Sequence, residues 1–166
     1  YTYVIPDLRD LDRVFSNFSL PKRKQIDKAA GLVKAQTGLS PSDFYANHML
    51  TLKKQGQDIS YSFDLFKGIH DAAISHEAGR TWYATDDQGS LHAAIFVVYD
   101  SKSAYYLISS IDPDHRGSGA ATLLVRDAIT YVSQYTERFD FEGSMIRGVE
   151  ESFRKFGAIQ MPYFSI

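Results

Sequence analysis

TWYATDDQGSLHAAIFVVYDSKSAYYLISS, residues 81–110, carries the reading that decides the fold. Three runs rich in aromatic and branched side chains are separated by Asp86-Asp87-Gln88-Gly89 and by Ser101 to Ser103. Turn residues at that spacing predict three consecutive antiparallel strands. Residues 93–98 are apolar on both faces of their strand, which places it inside a sheet covered by helices on both sides.

The flanking sequence supplies those helices. Upstream, Tyr1 to Ile5 alternate as a short strand that Pro6 stops, and Asp7 is placed to cap a brief helix bearing Leu8, Leu11, Val14 and Phe15. Pro21 opens the basic segment KRKQIDKAA, which Gly31 closes, and LVKAQT then reads as a strand. Ser42 is expected to cap a helix running through Lys54, and a further helix follows from Ser62 to Glu77. Downstream come a helix over Gly117 to Gln134, the strand RFDFE, a helix over Ile146 to Phe156 and the strand IQMPYFSI. Ala121, Leu124, Val125, Ala128, Val132 and Tyr135 form the apolar stripe of the longer helix, and Ile146, Val149, Phe153 and Phe156 that of the shorter; both read as core packing.

Length and charge narrow the function. A chain of 166 residues fits one domain, residues 1–166, with one core. Its net charge of −2 gives no general field for a polyanion, so no DNA partner is expected and any anionic ligand needs a local device. With no cysteine there is neither a disulfide nor a thiol nucleophile, which suits a cytoplasmic setting. The longest apolar run, Ala93 to Tyr99, is far short of a membrane span. The chain begins at Tyr1 in strand-like sequence, so residues 1–20 are expected to be a lead-in from a missing upstream domain, with the core over residues 22–166.

The local device is SSIDPDHRGSGAATLLV, residues 109–125, a small-residue turn between a strand and an amphipathic helix. Small residues let the backbone approach a ligand, and the first helical amides combine free N–H groups with the positive end of the helix dipole. Read alone, a glycine pair is equally an ordinary tight turn. The order of elements changes the weight: Arg116-Gly-Ser-Gly119-Ala-Ala121 follows a three-strand meander and precedes helix, strand, helix and strand. That arrangement resembles the acyl-CoA loop of the GNAT superfamily, Q or R-x-x-G-x-G or A. A second likeness lies in FDFEGSMIRGVEESFRKFGAIQMPYFSI, residues 139–166, which resembles the closing segment of FemAB-like proteins, with Arg154 where a lysine is frequent.

The resemblance implies an α/β, or α+β three-layer, GNAT fold: a mixed central sheet with an antiparallel meander flanked by helices. It implies that the amides of Arg116, Gly117, Ser118, Gly119, Ala120 and Ala121 hold the pyrophosphate of acetyl-CoA or another acyl-CoA. It also implies an N-acyltransferase acting on a small-molecule or peptide amine, and a second GNAT-like domain in the full-length chain. FemAB-type transfer from an aminoacyl-tRNA to a peptidoglycan precursor, and a non-catalytic half-domain completing a cleft, remain as alternatives.

Amine acylation needs a proton acceptor and a donor for the leaving thiolate. Glu142, beside Gly143 at the end of its strand, is the expected base, though the same carboxylate also suits a capping role; of Tyr105, Tyr106 and Tyr163, whose strands border the cleft and which equally suit packing, Tyr163 is the expected hydroxyl. Asp140 and Arg154 are expected on the substrate side. His115 flanks the loop, and Lys22, Arg23, Lys24 and Lys28 form a basic face that suits either solvent or a tRNA backbone. His48, His70, His76 and His92 lack zinc-like spacing with carboxylates, so no metal is expected.

Overall fold

The structure, a computed structural model, describes residues 1–144 and 146–163. Its elements run β1 (Thr2–Ile5), α1 (Leu11–Ser16), α2 (Leu20–Ala30), β2 (Lys34–Thr37), α3 (Pro41–Lys54), α4 (Phe63–Ser75), β3 (Gly79–Thr85), β4 (Leu91–Tyr99), β5 (Ser103–Ile111), a 3₁₀ turn (Pro113–Ser118), α5 (Ala120–Val132), β6 (Arg138–Asp140), α6 (Arg147–Lys155) and β7 (Ile159–Met161). Phe164, Ser165 and Ile166 of the expected last strand lie outside the described residues.

The strands form one sheet in the order β2-β3-β4-β5-β6-β1-β7, antiparallel everywhere except between β5 and β6. The meander is as the turn chemistry predicts. Strand β4 is buried on both faces: Ala93, Ile95 and Val97 join the cluster holding Leu124, Ala128 and Ile129 of α5, while Ala94 and Phe96 join Phe44 of α3 and Phe66 of α4. Two such clusters make the chain a three-layer fold, and no helix among the described residues is long and apolar enough to cross a membrane.

Residues 1–20 supply an inner strand. β1 pairs with β6 on one side and β7 on the other, and Tyr3 N–H donates to Glu142 C=O at 3.0 Å while Phe141 N–H donates to Tyr3 C=O at 2.8 Å. Helix starts move from their expected places. Asp10, not Asp7, caps α1, because the Asp7 carboxylate is held by the Arg9 side chain and N–H. Ser40 replaces Ser42 as the cap of α3, since Pro41 belongs at the first helical position, where its missing N–H costs nothing. The expected helix from Gly117 divides into the 3₁₀ turn and α5 because Gly119 takes left-handed backbone angles, φ +76°.

Two irregularities shape the sheet. β5 pairs with β6 only over Ser103–Tyr105, although β5 runs on to Ile111, so the two strands part after the Tyr105–Asp140 pair. On its other side β5 carries one extra residue, Leu107, opposite Phe96 and Val97. Such a bulge bends the strand and increases its twist, and here it coincides with the opening.

Candidate functional site

The glycine turn stands at one end of this opening. A cavity of about 660 Å³ is bounded by Arg116, Ser118, Gly119, Ala120 and Ala121 at the head of α5, with Tyr106 and Ser109 of β5 opposite. That volume falls in the range of small-molecule sites. Gly117 is exposed and faces open space, so of the six expected loop residues it alone is not among the lining. Ala120 N–H donates to Ser118 Oγ at 3.3 Å, and the amides of Ala121 and Thr122 have no hydrogen-bond partner among the described residues. Free first-turn amides at a helix N-terminus attract anions.

The other walls correct two expectations. Ile146 and Val149 do not pack in the core: they are 66% and 37% exposed and line this cavity. Lys22 leaves the basic face that Arg23, Lys24 and Lys28 keep exposed, and is buried with its ammonium on Ser152 Oγ at 2.9 Å and over the Phe156 ring at 4.3 Å. Burial, reinforced by Lys155, lowers the Lys22 pKa to about 8. Helix α2 also abuts the turn itself. A Cβ on Gly119 would stand 2.5 Å from the Gln25 carbonyl oxygen, and Thr122 Oγ1 donates to Gln25 Oε1 at 2.7 Å.

Glu142, Tyr163 and Asp140 gather in a second depression of about 620 Å³, with Tyr1, Thr2 and Tyr105. Tyr105 and Tyr106 are adjacent on β5, so their side chains leave opposite faces, and the depression lies across the sheet from the larger cavity. Between them is the point where β5 and β6 part. Glu142 adopts φ +64°, a left-handed conformation that a glutamate rarely takes. Burial, and then the neighbouring Asp140 carboxylate, raise its pKa above the ordinary carboxylate value. Asp140 is committed locally, accepting from Thr2 Oγ1 and from Glu142 N–H. Arg154 lines neither cavity; it donates to Tyr3 Oη at 3.0 Å, and Tyr3 in turn donates to Glu150.

A third, apolar cavity of about 430 Å³ lies between α4 and β5 and shares Ser109 with the cavity at the head of α5. In it His48 Nδ1 and Tyr61 Oη share a hydrogen bond at 2.6 Å; burial lowers the His48 pKa and raises that of Tyr61 to about 12.

One cluster escaped the sequence reading. Asp86, His92 and His115 come together although they belong to a hairpin turn, a strand and the 3₁₀ turn. The legible signal was an aspartate and a histidine flanking one hairpin, which cross-strand pairing brings together.

A family model described as "Acetyltransferase (GNAT) domain" matches residues 23–154. No curated protein matches the sequence. Among solved structures, FemX superposes with a TM-score of 0.83 at 11% identity, covering 95% of this chain and 58% of FemX. A conserved protein of unknown function from Bacteroides thetaiotaomicron VPI-5482 gives 0.64 at 11% identity, covering 96% of this chain and 56% of that one. The aminoglycoside antibiotic 6'-N-acetyltransferase AAC(6')-Ih from Acinetobacter baumannii gives 0.57 at 15% identity, covering 81% and 97%. The chain thus spans little more than half of the first two, and these likenesses concern the fold.

Proposed function

We propose, from the premise that this chain belongs to the GNAT acetyltransferase family, that it moves an acyl group, most simply acetyl, from a coenzyme A thioester to an amine. The observation that carries the reading is the cavity at the head of α5, where free amides of Ala121 and Thr122 stand beside the exposed Arg116. The donor's pyrophosphate is assigned to that corner. The apolar sides of Tyr106, Ile146 and Val149 line the way along β5 for the pantetheine arm.

The acceptor amine is assigned to the opposite face, beside Glu142. Burial and the Asp140 carboxylate raise the Glu142 pKa, which makes its carboxylate a stronger base than that of an exposed glutamate. In the step proposed, the amine nitrogen attacks the thioester carbonyl, the new C–N bond forms and the C–S bond breaks. The amine proton passes to the Glu142 carboxylate, and the thiolate leaves with a proton from Tyr163 or water. Asp140 holds the Glu142 turn rather than touching the amine, consistent with its bonds to Thr2 and Glu142 N–H.

The packing of Gly119 against Gln25 favours one alternative, a non-catalytic half-domain in which the glycine turn serves helix packing alone. Thiol release from acetyl-CoA separates the two. With a panel of primary amines, the full-length protein is expected to release thiol with at least one of them and Glu142→Gln to lose that release. Absence of release with every amine, together with absence of coenzyme A binding, supports the half-domain reading.

A further inference from the structure

The Asp86, His92 and His115 cluster has a chemistry of its own. His92 is 6% exposed, and its Nε2 meets Asp86 Oδ2 at 2.8 Å. Asp86 is fixed by its hairpin, its Oδ1 accepting from the N–H of Gln88 at 2.9 Å and of Ser90 at 3.0 Å. A hydrogen-bonded aspartate and histidine in a turn would explain that much. It does not explain His92 Nδ1, which is buried without a partner among the described residues, so that no second protein group fixes which ring nitrogen carries the proton and Nε2 is able to give up its proton for a metal. Nor does it explain the second imidazole: the His115 ring lies on His92 at 3.9 Å between centroids and 17° between planes.

We propose that Asp86, His92 and His115 form a binding site for one divalent transition-metal ion, of which Zn²⁺ is the best fit. One ligand atom from each of the three lies within 4.8 Å of the other two. Tetrahedral zinc, with bonds of about 2.0–2.1 Å, needs its ligand atoms roughly 3.3 Å apart: the ion takes the place of the proton between His92 Nε2 and Asp86 Oδ2, now 2.8 Å apart, and rotation of the His115 side chain closes the third bond. Two imidazoles with one carboxylate and no thiolate suit zinc or cobalt, whereas magnesium and calcium prefer all-oxygen shells. His92 and His115 both line the cavity at the head of α5, so the position left open by three protein ligands faces it, and water or an anion bound there completes the shell. The ion would tie the 3₁₀ turn to the β3–β4 hairpin, and this assignment stands whether or not the cavity takes an acyl donor.

The test uses the untagged chain, stripped with a chelator and titrated with Zn²⁺ by calorimetry and with Co²⁺ by visible absorption. One ion per chain is expected, with the intense absorption of low-symmetry Co²⁺. His92→Ala and His115→Ala should each weaken binding at least tenfold, while His76→Ala, at an exposed histidine outside the cluster, should leave it unchanged. His115 is only half-buried, so its variant reports even if His92→Ala fails to fold. Failure of the folded wild-type chain to bind either ion, or equal affinity in His115→Ala and wild type, would overturn the proposal.

Discussion

Two strand-to-helix turns in this molecule look alike in sequence and behave differently. After β5, the left-handed residue is Gly119, and the space where a side chain would stand is taken by the backbone of α2. After β6, the left-handed residue is Glu142, although Gly143 stands next to it. Gly143 is itself required, since a Cβ there would lie 2.4 Å from the Tyr1 carbonyl oxygen. The first turn meets its backbone demand with the residue best suited to it, whereas the second places the strain on a carboxylate with a raised pKa at a cavity wall. Strain kept on a reactive side chain points to use. A glycine in a glycine-favouring conformation points first to packing.

That contrast breaks most sharply in activity. If Glu142 is the base, Glu142→Gln, which keeps the shape, should lower kcat by about 10²- to 10⁴-fold with little change in KM for the donor. The pH profile carries the same information. Glu142 must be ionised to accept a proton, so kcat/KM should rise with pH through a midpoint above the ordinary carboxylate value, and this limb should vanish in Glu142→Gln. An unaltered limb would remove Glu142 from the mechanism.

The glycine turn should answer in stability. Gly119→Ala meets both the left-handed φ of +76° and the Gln25 carbonyl, and should cost about 3 kcal/mol, a fall in Tm of roughly 10 °C for a chain of this size. A wild-type Tm would show that α2 yields readily and that the turn is free for another purpose. Glu142→Gly should do the reverse, raising stability by about 1 kcal/mol while abolishing turnover, because glycine takes that backbone conformation without strain.

The smallest effect concerns Lys22, on the wall facing the glycine turn. Its pKa of about 8 in the folded chain lies below its ordinary 10.5, so between those values the unfolded chain binds the extra proton and stability rises with pH. Below pH 8 the stability penalty is complete and constant. Lys22→Met should remove this slope and add on the order of 1 kcal/mol at neutral pH, as seen by denaturant titration at several pH values.

How much of this was legible follows from which interactions are local. Hairpin turns at Asp86 to Gly89 and Ser101 to Ser103, and the two-faced apolar run of β4, report structure within a few residues, and the meander is where they placed it. The insertion of β1 between β6 and β7 rests on pairing between chain-distant strands, which no local period encodes. Lys22 reads as solvated because it stands in the basic run with Arg23 and Lys24, although helix spacing sets it across from Lys24 and Lys28, and the approach of Ser152 and Phe156 buries it. The glycine turn was legible as a turn, but not the helix resting on it. Glu142 and Tyr163 were legible as cleft residues, yet their separation from the loop residues by the thickness of the sheet depends on where β6 leaves β5.

The central claim, that the head of α5 receives the donor's phosphates, is tested most directly by calorimetric titration of the full-length protein with desulfo-coenzyme A, comparing wild type with Ala121→Asp. An aspartate in the first turn gains about 0.3–1 kcal/mol from the helix dipole, its charge opposes a phosphate at the Ala121 and Thr122 amides, and, because Ala121 packs half-buried against the core, circular dichroism of the variant checks that the fold is kept. Micromolar binding by the wild type, weakened at least tenfold in Ala121→Asp, is the result this account predicts. Absence of binding in the wild type, or the same affinity in both proteins, would contradict it.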